Sequence, residues 1–373
     1  VNLPATTIFV RGPKRGKKIN LTEIDFWNLA GRAGRQGMEF QGNVVCVDPE
    51  KAGVWAFAPP KKRGRYDIVR KLDAIGKDSK GLLDYIRNGT PRNIDKELQA
   101  LEYAFSFFMK EHMAWGSVAQ SPVANRYDAS FINALATECA AVASRISIPL
   151  ERLQRIPGVS PLAMQSLLGA FRQAKDLEAL KPVPPRSDDA DDAYTALLGL
   201  MNEHLMGEPP QLNYPRALLV VRWMTGWSLS RIIKSNWKYW QKKDPKKRLA
   251  AVIRETMEWI EEFVRFKFAK YAACYVDILN IALEERGSEP NAGEGELDLR
   301  LALEFGASNQ TEVTLMGLGL SRTTTLLLTE DHIPFGALDE AQCIAALRSL
   351  NVAGLGLSPI VVAEIRALLA RFA

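Results

Sequence analysis

The spacing of the apolar residues changes near residue 65, and this change constrains the fold more than any other feature of the sequence. Before it, two β-branched runs at residues 6–10 and 42–47 flank a helical stretch, a pattern that predicts α/β structure. After it, apolar residues recur every three or four positions, as in residues 94–112 and 247–285, which predicts amphipathic helices. We therefore predict a mainly α multidomain fold with an N-terminal α/β remnant.

The 373 residues are enough for two or three folding units. A proline-rich and then acidic stretch at residues 181–192, and a loop of Gly, Pro and Glu at 288–296, have the composition of linkers. The predicted divisions are an α/β part at 1–50, a helical, winged-helix-like region at 51–181, a helical bundle at 194–287 and a small helical module at 297–373.

The composition argues against several classes of protein. With 47% hydrophobic and 24% charged residues the chain is ordinary globular material, and apolar runs such as 217–221 are too short to cross a membrane. Four cysteines without a CxxC pair, and three histidines, argue against a zinc site and predict the reduced thiols of a cytoplasmic protein. The aspartates at 188–192 are predicted to be solvated, so no metal site is expected in the chain itself.

One short segment, Asn-Leu-Ala-Gly-Arg-Ala-Gly-Arg-Gln-Gly at residues 28–37, carries a pattern suited to chemistry. Gly31 and Gly34 allow a tight turn and a close approach to a ligand, because neither has a Cβ. Arg32 and Arg35 are three positions apart and project from one face of a helical turn. Two guanidinium groups placed in this way suit the negative charge of a transferring phosphoryl group.

This segment resembles the sixth conserved motif of superfamily-two helicases, usually written QxxGRxGR, with Asn28 in place of the family's glutamine. The opening Val-Asn-Leu-Pro-Ala at 1–5 resembles the end of the fifth motif, and residues 42–45 resemble the strand that follows the sixth. The resemblance implies a RecA-like motor domain, ATP and Mg²⁺ as cofactors, and arginine-finger roles for Arg32 and Arg35. It also implies that Asn28, Gly31 and Gly34 lie beside the nucleotide.

The sequence lacks the other half of such a motor. No GxxxxGK[ST] phosphate-binding loop occurs, and residues 338–342, Leu-Asp-Glu-Ala-Gln, follow the sixth motif although a DExx box precedes it. We predict that these acidic residues begin a helix. The chain is therefore expected to be a C-terminal portion, inactive alone, with ATP and Mg²⁺ bound mainly by an N-terminal half.

The helical region resembles in outline the accessory domains of archaeal DNA-repair helicases, RNA-exosome helicases and some bacterial anti-phage helicases. Two turns within it, at residues 153–161 and 318–322, resemble helix-hairpin-helix motifs, whose backbone N–H groups bind phosphate. They make Gly158, Ser160, Gly319 and Arg322 candidate nucleic-acid contacts. The alternative is a plain turn between helices with a serine cap.

A basic cluster at residues 234–248 has seven Lys or Arg and one Asp, with aromatic residues interleaved. Cations can bind phosphates and aromatic rings can stack on bases, so Lys238, Trp240, Lys242 and Lys243 are further candidates. The alternative is a solvated charged face with aromatics in the core. Trp223 is predicted to belong to the core.

The sequence thus favours the C-terminal part of an ATP-dependent helicase acting on single-stranded DNA, or on a duplex with a single-stranded tail. DNA is preferred on the family outline alone. The alternatives are an RNA helicase of the same superfamily, or a helicase-derived binding scaffold without ATP turnover.

Overall fold

A computed structural model describes residues 7–11, 14–15, 19–20, 22–30, 43–47, 72, 79–91, 96–156, 158–290, 298–334 and 336–372. The chain divides into two compact units, Val1–Asp73 and Ala74–Ala373, which are considered separately below.

The first unit contains a parallel strand pair. Its elements are β1 (Thr7–Arg11), β2 (Lys14–Arg15), β3 (Ile19–Asn20), α1 (Glu23–Ala30) and β4 (Asn43–Val47). β1 pairs in parallel with β4, with Thr7 opposite Asn43, and β2 pairs with β3 in antiparallel fashion. Parallel neighbours require a crossover, and α1 lies in the connecting chain.

A small apolar core stabilises this unit, because Val10 of β1 is buried with Phe26 and Ala30 of α1. The start of α1 is fixed by a reciprocal cap: the Asp25 N–H donates to Thr22 Oγ1 at 3.1 Å, and the Thr22 N–H donates to Asp25 Oδ2 at 3.2 Å. The predicted strand–helix–strand pattern is confirmed in the described residues.

Among its described residues, the second unit consists of helices joined by turns and loops, without a β-strand. It begins with α2 (Ser79–Arg87), α3 (Lys96–Trp115), α4 (Ala129–Ala143), α5 (Leu150–Arg155), α6 (Pro161–Gln173), α7 (Ala190–Met201), α8 (Asn213–Met224) and α9 (Leu229–Lys243). Short 3₁₀ turns cover Val118–Gln120, Pro122–Arg126, Glu178–Leu180, Pro210–Leu212 and Val352–Gly354, and a π-helical stretch covers Asn202–Met206.

The longest helix joins three stretches without a break: α10 (Leu249–Glu258), a π-helical segment (Trp259–Phe268) and α11 (Ala269–Glu285). It confirms the long helix predicted from the apolar repeat. Ile260, Val264 and Phe268 are buried along the π-helical segment, and α11 is the most deeply buried part of the helix.

One core extends across the helices from α5 to the long helix. The Phe171 and Tyr275 rings meet edge to face, with centroids 5.1 Å apart. The Tyr194 hydroxyl donates to the Val183 carbonyl at 3.1 Å, and the Tyr275 hydroxyl donates to the Leu180 carbonyl at 2.8 Å. The predicted linker at 181–192 is therefore anchored at its start, and the regions on either side of it share a core.

The remaining helices are α12 (Leu299–Phe305), α13 (Gln310–Leu318), α14 (Arg322–Asp331), α15 (Glu340–Ser349) and α16 (Pro359–Arg371). α13 to α16 surround a second core that includes Leu328, Leu347 and Ile365. Asp339 and Gln342 form a capping box at the start of α15, which confirms that the acidic residues there begin a helix. The mainly α fold class is confirmed.

Candidate nucleic-acid interface

The residues predicted to act on ATP belong to the first unit. Asn28 lies in the last turns of α1, whereas Gly31, Arg32, Gly34 and Arg35 lie outside the described residues. What the structure adds is their setting in the chain: they follow α1 directly and precede β4, the parallel neighbour of β1.

The basic cluster lies mainly on α9, which carries a continuous row of cations. Arg231, Lys234, Lys238 and Lys242 are spaced three, four and four positions apart, and all are exposed. Residues at these spacings share one side of a helix. We call these four residues the basic face of α9. Its first member, Arg231, lies three positions before the basic cluster at residues 234–248.

Local chemistry explains why this segment is a helix. The Ser228 side chain accepts the Arg231 N–H at 3.2 Å and caps the first turn. α9 contains no acidic residue, and Lys242 and Lys243 lie in its last turn, where cations interact favourably with the helix dipole. Ile232 is buried, and Asn236 donates to Thr256 of α10 at 3.1 Å, so α9 packs on α10 with its basic face outward.

The aromatic residues of α9 differ in their accessibility. The Tyr239 side chain is 55% exposed, and its hydroxyl accepts a hydrogen bond from Lys243 Nζ at 3.2 Å. Trp240 is half-buried, and Lys247 Nζ lies 3.3 Å from the centroid of its ring while also pairing with Glu255 at 2.5 Å. One face of Trp240 is thus covered, and Tyr239 is the more accessible surface for a base.

The first hairpin-like turn, between α5 and α6, directs its polar groups into the chain. Gly158 is buried with φ of 74°, and its carbonyl oxygen accepts from Lys270 Nζ at 2.8 Å. A Cβ at this position would lie 1.9 Å from the Tyr103 ring, so glycine is required. Ser160 is fully buried, and its N–H donates to Glu102 Oε1 at 2.9 Å.

The second turn, between α13 and α14, follows the same scheme. Gly319 ends α13 with φ of 116°. The Ser321 N–H donates to the Glu364 carboxylate, and the Ser321 hydroxyl donates to it at 2.9 Å. In both turns a glutamate from a distant helix therefore occupies the N–H group that a phosphate would use.

Arg322, at the start of α14, binds carbonyl groups within the chain. Its guanidinium donates to the carbonyl oxygens of Gly306 at 3.0 Å, Trp227 at 3.1 Å and Trp223 at 2.6 Å. It also lies over the Trp223 ring, 4.1 Å from the centroid. Burial lowers the pKa of Arg322 to about 10, against the opposing effect of Glu312.

Several other sequence predictions can be compared with the structure. Trp223 is buried, as predicted. The four cysteines all lie in described residues and form no disulfide bond. Over the described ranges, no group of three or more His, Cys, Asp or Glu side chains is placed to hold a metal ion. No helix in the part of the chain that the structure describes combines the length and apolar character needed to cross a membrane.

No protein-family model, curated protein or solved structure matches this chain significantly.

Proposed function

We propose that this chain is the C-terminal part of an ATP-dependent nucleic-acid helicase of superfamily two, whose helical unit holds a single strand. The observation that carries the proposal is the order of elements in the first unit. Val-Asn-Leu-Pro-Ala precedes β1, Gly-Arg-Ala-Gly-Arg follows α1, and β4 lies parallel to β1. A parallel pair joined through a helix is the arrangement that a RecA-like domain requires.

In this proposal Arg32 and Arg35 stabilise the charge that develops on the γ-phosphoryl group during hydrolysis. When bound, ATP would supply the free energy of the cycle, and Mg²⁺ would neutralise part of the charge on its phosphates. The phosphate-binding loop and the magnesium ligands would belong to an N-terminal half, because this sequence contains no GxxxxGK[ST] motif. Gly31 and Gly34 let the backbone approach the nucleotide.

The strand would be held at the basic face of α9. Four exposed cations cover 11 residue intervals from Arg231 to Lys242, a length of roughly 16 Å at the rise of an α-helix. That length matches a few consecutive phosphates, and Tyr239 adds a flat surface for a base. The two hairpin-like turns contribute less to this proposal, because Glu102 and Glu364 already bind the serine N–H groups.

Charge reversal on the basic face tests this role. The variant Lys234→Glu/Lys238→Glu/Lys242→Glu is expected to bind a fluorescent oligothymidine about tenfold or more weakly than the wild type in low salt. The slope of log affinity against log salt should become shallower by about 0.7 for each phosphate that the variant no longer binds. Anisotropy titrations at several salt concentrations measure both quantities.

A matched control separates local contact from net charge. Lys80, Arg126 and Lys175 are exposed cations on other elements, and their joint change to Glu alters the net charge equally. Equal loss of affinity in both triple variants would contradict a binding role for α9.

Tyr239→Ala should cost roughly 1–3 kcal/mol of binding free energy if a base stacks there. The variant Trp240→Ala tests in the same way whether a base stacks on the Trp240 ring, one face of which is covered by Lys247.

Two further comparisons test the alternatives, an RNA helicase and a binding scaffold without ATP turnover. Titration with oligouridine in parallel distinguishes an RNA-preferring from a DNA-preferring enzyme. A scaffold without ATP turnover would bind the strand through the same face but show no nucleic-acid-stimulated hydrolysis in the complete protein.

A further inference from the structure

A cleft of about 700 Å³ opens beside the π-helical segment of the long helix. Its walls come from α3, the turn before α6, the start of α8 and residues 258–271 of the long helix. This volume lies within the range of small-molecule sites, which hold ligands of nucleotide size. π-helical stretches also occur frequently at functional sites.

The floor of the cleft carries more positive than negative charge. Glu208, which is almost completely buried, contacts both Arg216 and Lys267, so two cations share one carboxylate. Arg216 also lies over the Phe263 ring, 4.3 Å from the centroid. Its Nε atom has no hydrogen-bond partner within the described part of the chain. A buried donor without a partner is costly.

A third cation lies at the end of the cleft nearest the first hairpin-like turn. Lys270 donates to two neutral acceptors, the Gly158 carbonyl at 2.8 Å and the Tyr103 hydroxyl at 3.3 Å. The pKa of the neighbouring Lys110 is lowered mainly by burial and secondly by repulsion from the charge of Lys270. Burial likewise lowers the pKa of Lys267, with repulsion from Arg216 as the second cause and attraction to Glu102 acting in the opposite direction. The inner part of the cleft therefore holds three cations, Arg216, Lys267 and Lys270, against two carboxylates, Glu102 and Glu208.

The mouth of the cleft has a different character. Three aromatic side chains line it and are substantially exposed: Phe266 at 69%, Tyr103 at 48% and Trp259 at 38%. Exposed carboxylates of Glu258 and Glu262 lie on the same rim. Aromatic faces stack on planar rings, and carboxylates accept hydrogen bonds from exocyclic amino groups.

We infer that this cleft binds a free nucleotide, with its phosphate on the floor at Arg216 and Lys267 and its base among the aromatic residues of the mouth. A long polyanionic strand fits less well, because successive phosphates would pass the carboxylates of Glu258, Glu261 and Glu262. A base with an amino group, as in AMP or GMP, should bind better than the uracil of UMP. This inference does not depend on the proposed helicase function.

Isothermal titration calorimetry with AMP as the probe tests the inference. Wild type should bind AMP, and adenosine and inorganic phosphate should each bind about tenfold or more weakly, because each lacks one half of the ligand. Phe266→Ala and Lys267→Gln should each weaken AMP binding about tenfold or more. Phe372→Ala, at an exposed aromatic residue of the C-terminal module, should leave it unchanged.

Further variants and a competing ligand test whether AMP binds in this cleft or elsewhere on the protein. Arg35→Ala should retain AMP binding, since the inference places AMP in the cleft and not at the motor motif. Phe266 is exposed, so Phe266→Ala tests the cleft even if Lys267→Gln unfolds the chain, which circular dichroism would reveal. Absence of AMP and GMP binding at millimolar concentration, or affinity unchanged in Phe266→Ala, would overturn the inference. Displacement of AMP by oligothymidine without a 5′-phosphate would also overturn it, in favour of a strand site.

Discussion

Changing Arg32 or Arg35 to alanine is expected to lower the ATPase rate of the complete protein by about 10³-fold. An arginine finger acts on charge that is present mainly in the transition state, so its loss should appear in kcat rather than in the affinity for ATP. Binding of an oligonucleotide should change little, because the proposal assigns these arginines to the nucleotide and the strand to the basic face of α9. Steady-state phosphate release with saturating nucleic acid measures the first effect, and anisotropy measures the second.

The control for this experiment is an arginine of similar chemistry away from the motif. Arg126 is exposed in the second unit, and Arg126→Ala should leave kcat unchanged. Near-normal turnover in both Arg32→Ala and Arg35→Ala would mean that the assignment of the sixth helicase motif is wrong. A large loss of nucleic-acid affinity without loss of turnover would instead place these arginines on the strand.

Local pattern is enough to predict most of the fold. The long helix follows from an apolar repeat that reaches from Ile253 to Val276, and the parallel strands follow from two β-branched runs on either side of a helix. The position of Asp339 alone predicts the start of a helix, and its capping box confirms this. For the helices the determining interactions lie within a few residues of one another, so the sequence displays them directly, whereas the pairing of β1 with β4 joins residues 36 positions apart.

Such local patterns do not predict contacts between residues that are distant in the sequence. Ser160 and Ser321 bind Glu102 and Glu364, which are 58 and 43 positions away, and no spacing rule pairs them. Composition likewise groups Tyr239 with Trp240 as equivalent stacking candidates. Only the packing of Lys247 on the Trp240 ring distinguishes them.

The residues of the cleft could not be predicted from the sequence for the same reason. Glu208, Arg216 and Lys267 come from three separate stretches of chain and carry no motif. Phe266 and Trp259 lie off the apolar repeat of the long helix, so the pattern leaves both exposed but does not show that they border a cleft.

Arg322→Ala is expected to lower the free energy of unfolding by about 3 kcal/mol or more. The side chain makes three hydrogen bonds to carbonyl groups. One of these carbonyls, of Trp223, lies in the last turn of α8, where the helix dipole favours a cation, and another, of Trp227, lies just beyond the helix. Loss of the Arg322 side chain would leave the Trp223 carbonyl without this donor and remove the cover of the Trp223 ring. Urea unfolding followed by circular dichroism measures the change.

Two comparison variants decide between this internal role and the nucleic-acid contact that the sequence predicts for Arg322. Arg322→Lys keeps the charge, but a single ammonium group cannot span three carbonyls, so stability should fall by an intermediate amount. Arg300→Ala removes an exposed arginine that pairs with Glu304 one turn away, and should cost about 0.5 kcal/mol or less. If Arg322→Ala instead leaves unfolding unchanged and weakens oligothymidine binding, Arg322 contacts the strand. If stability falls and the folded variant binds normally, Arg322 holds the C-terminal helices against the end of α8.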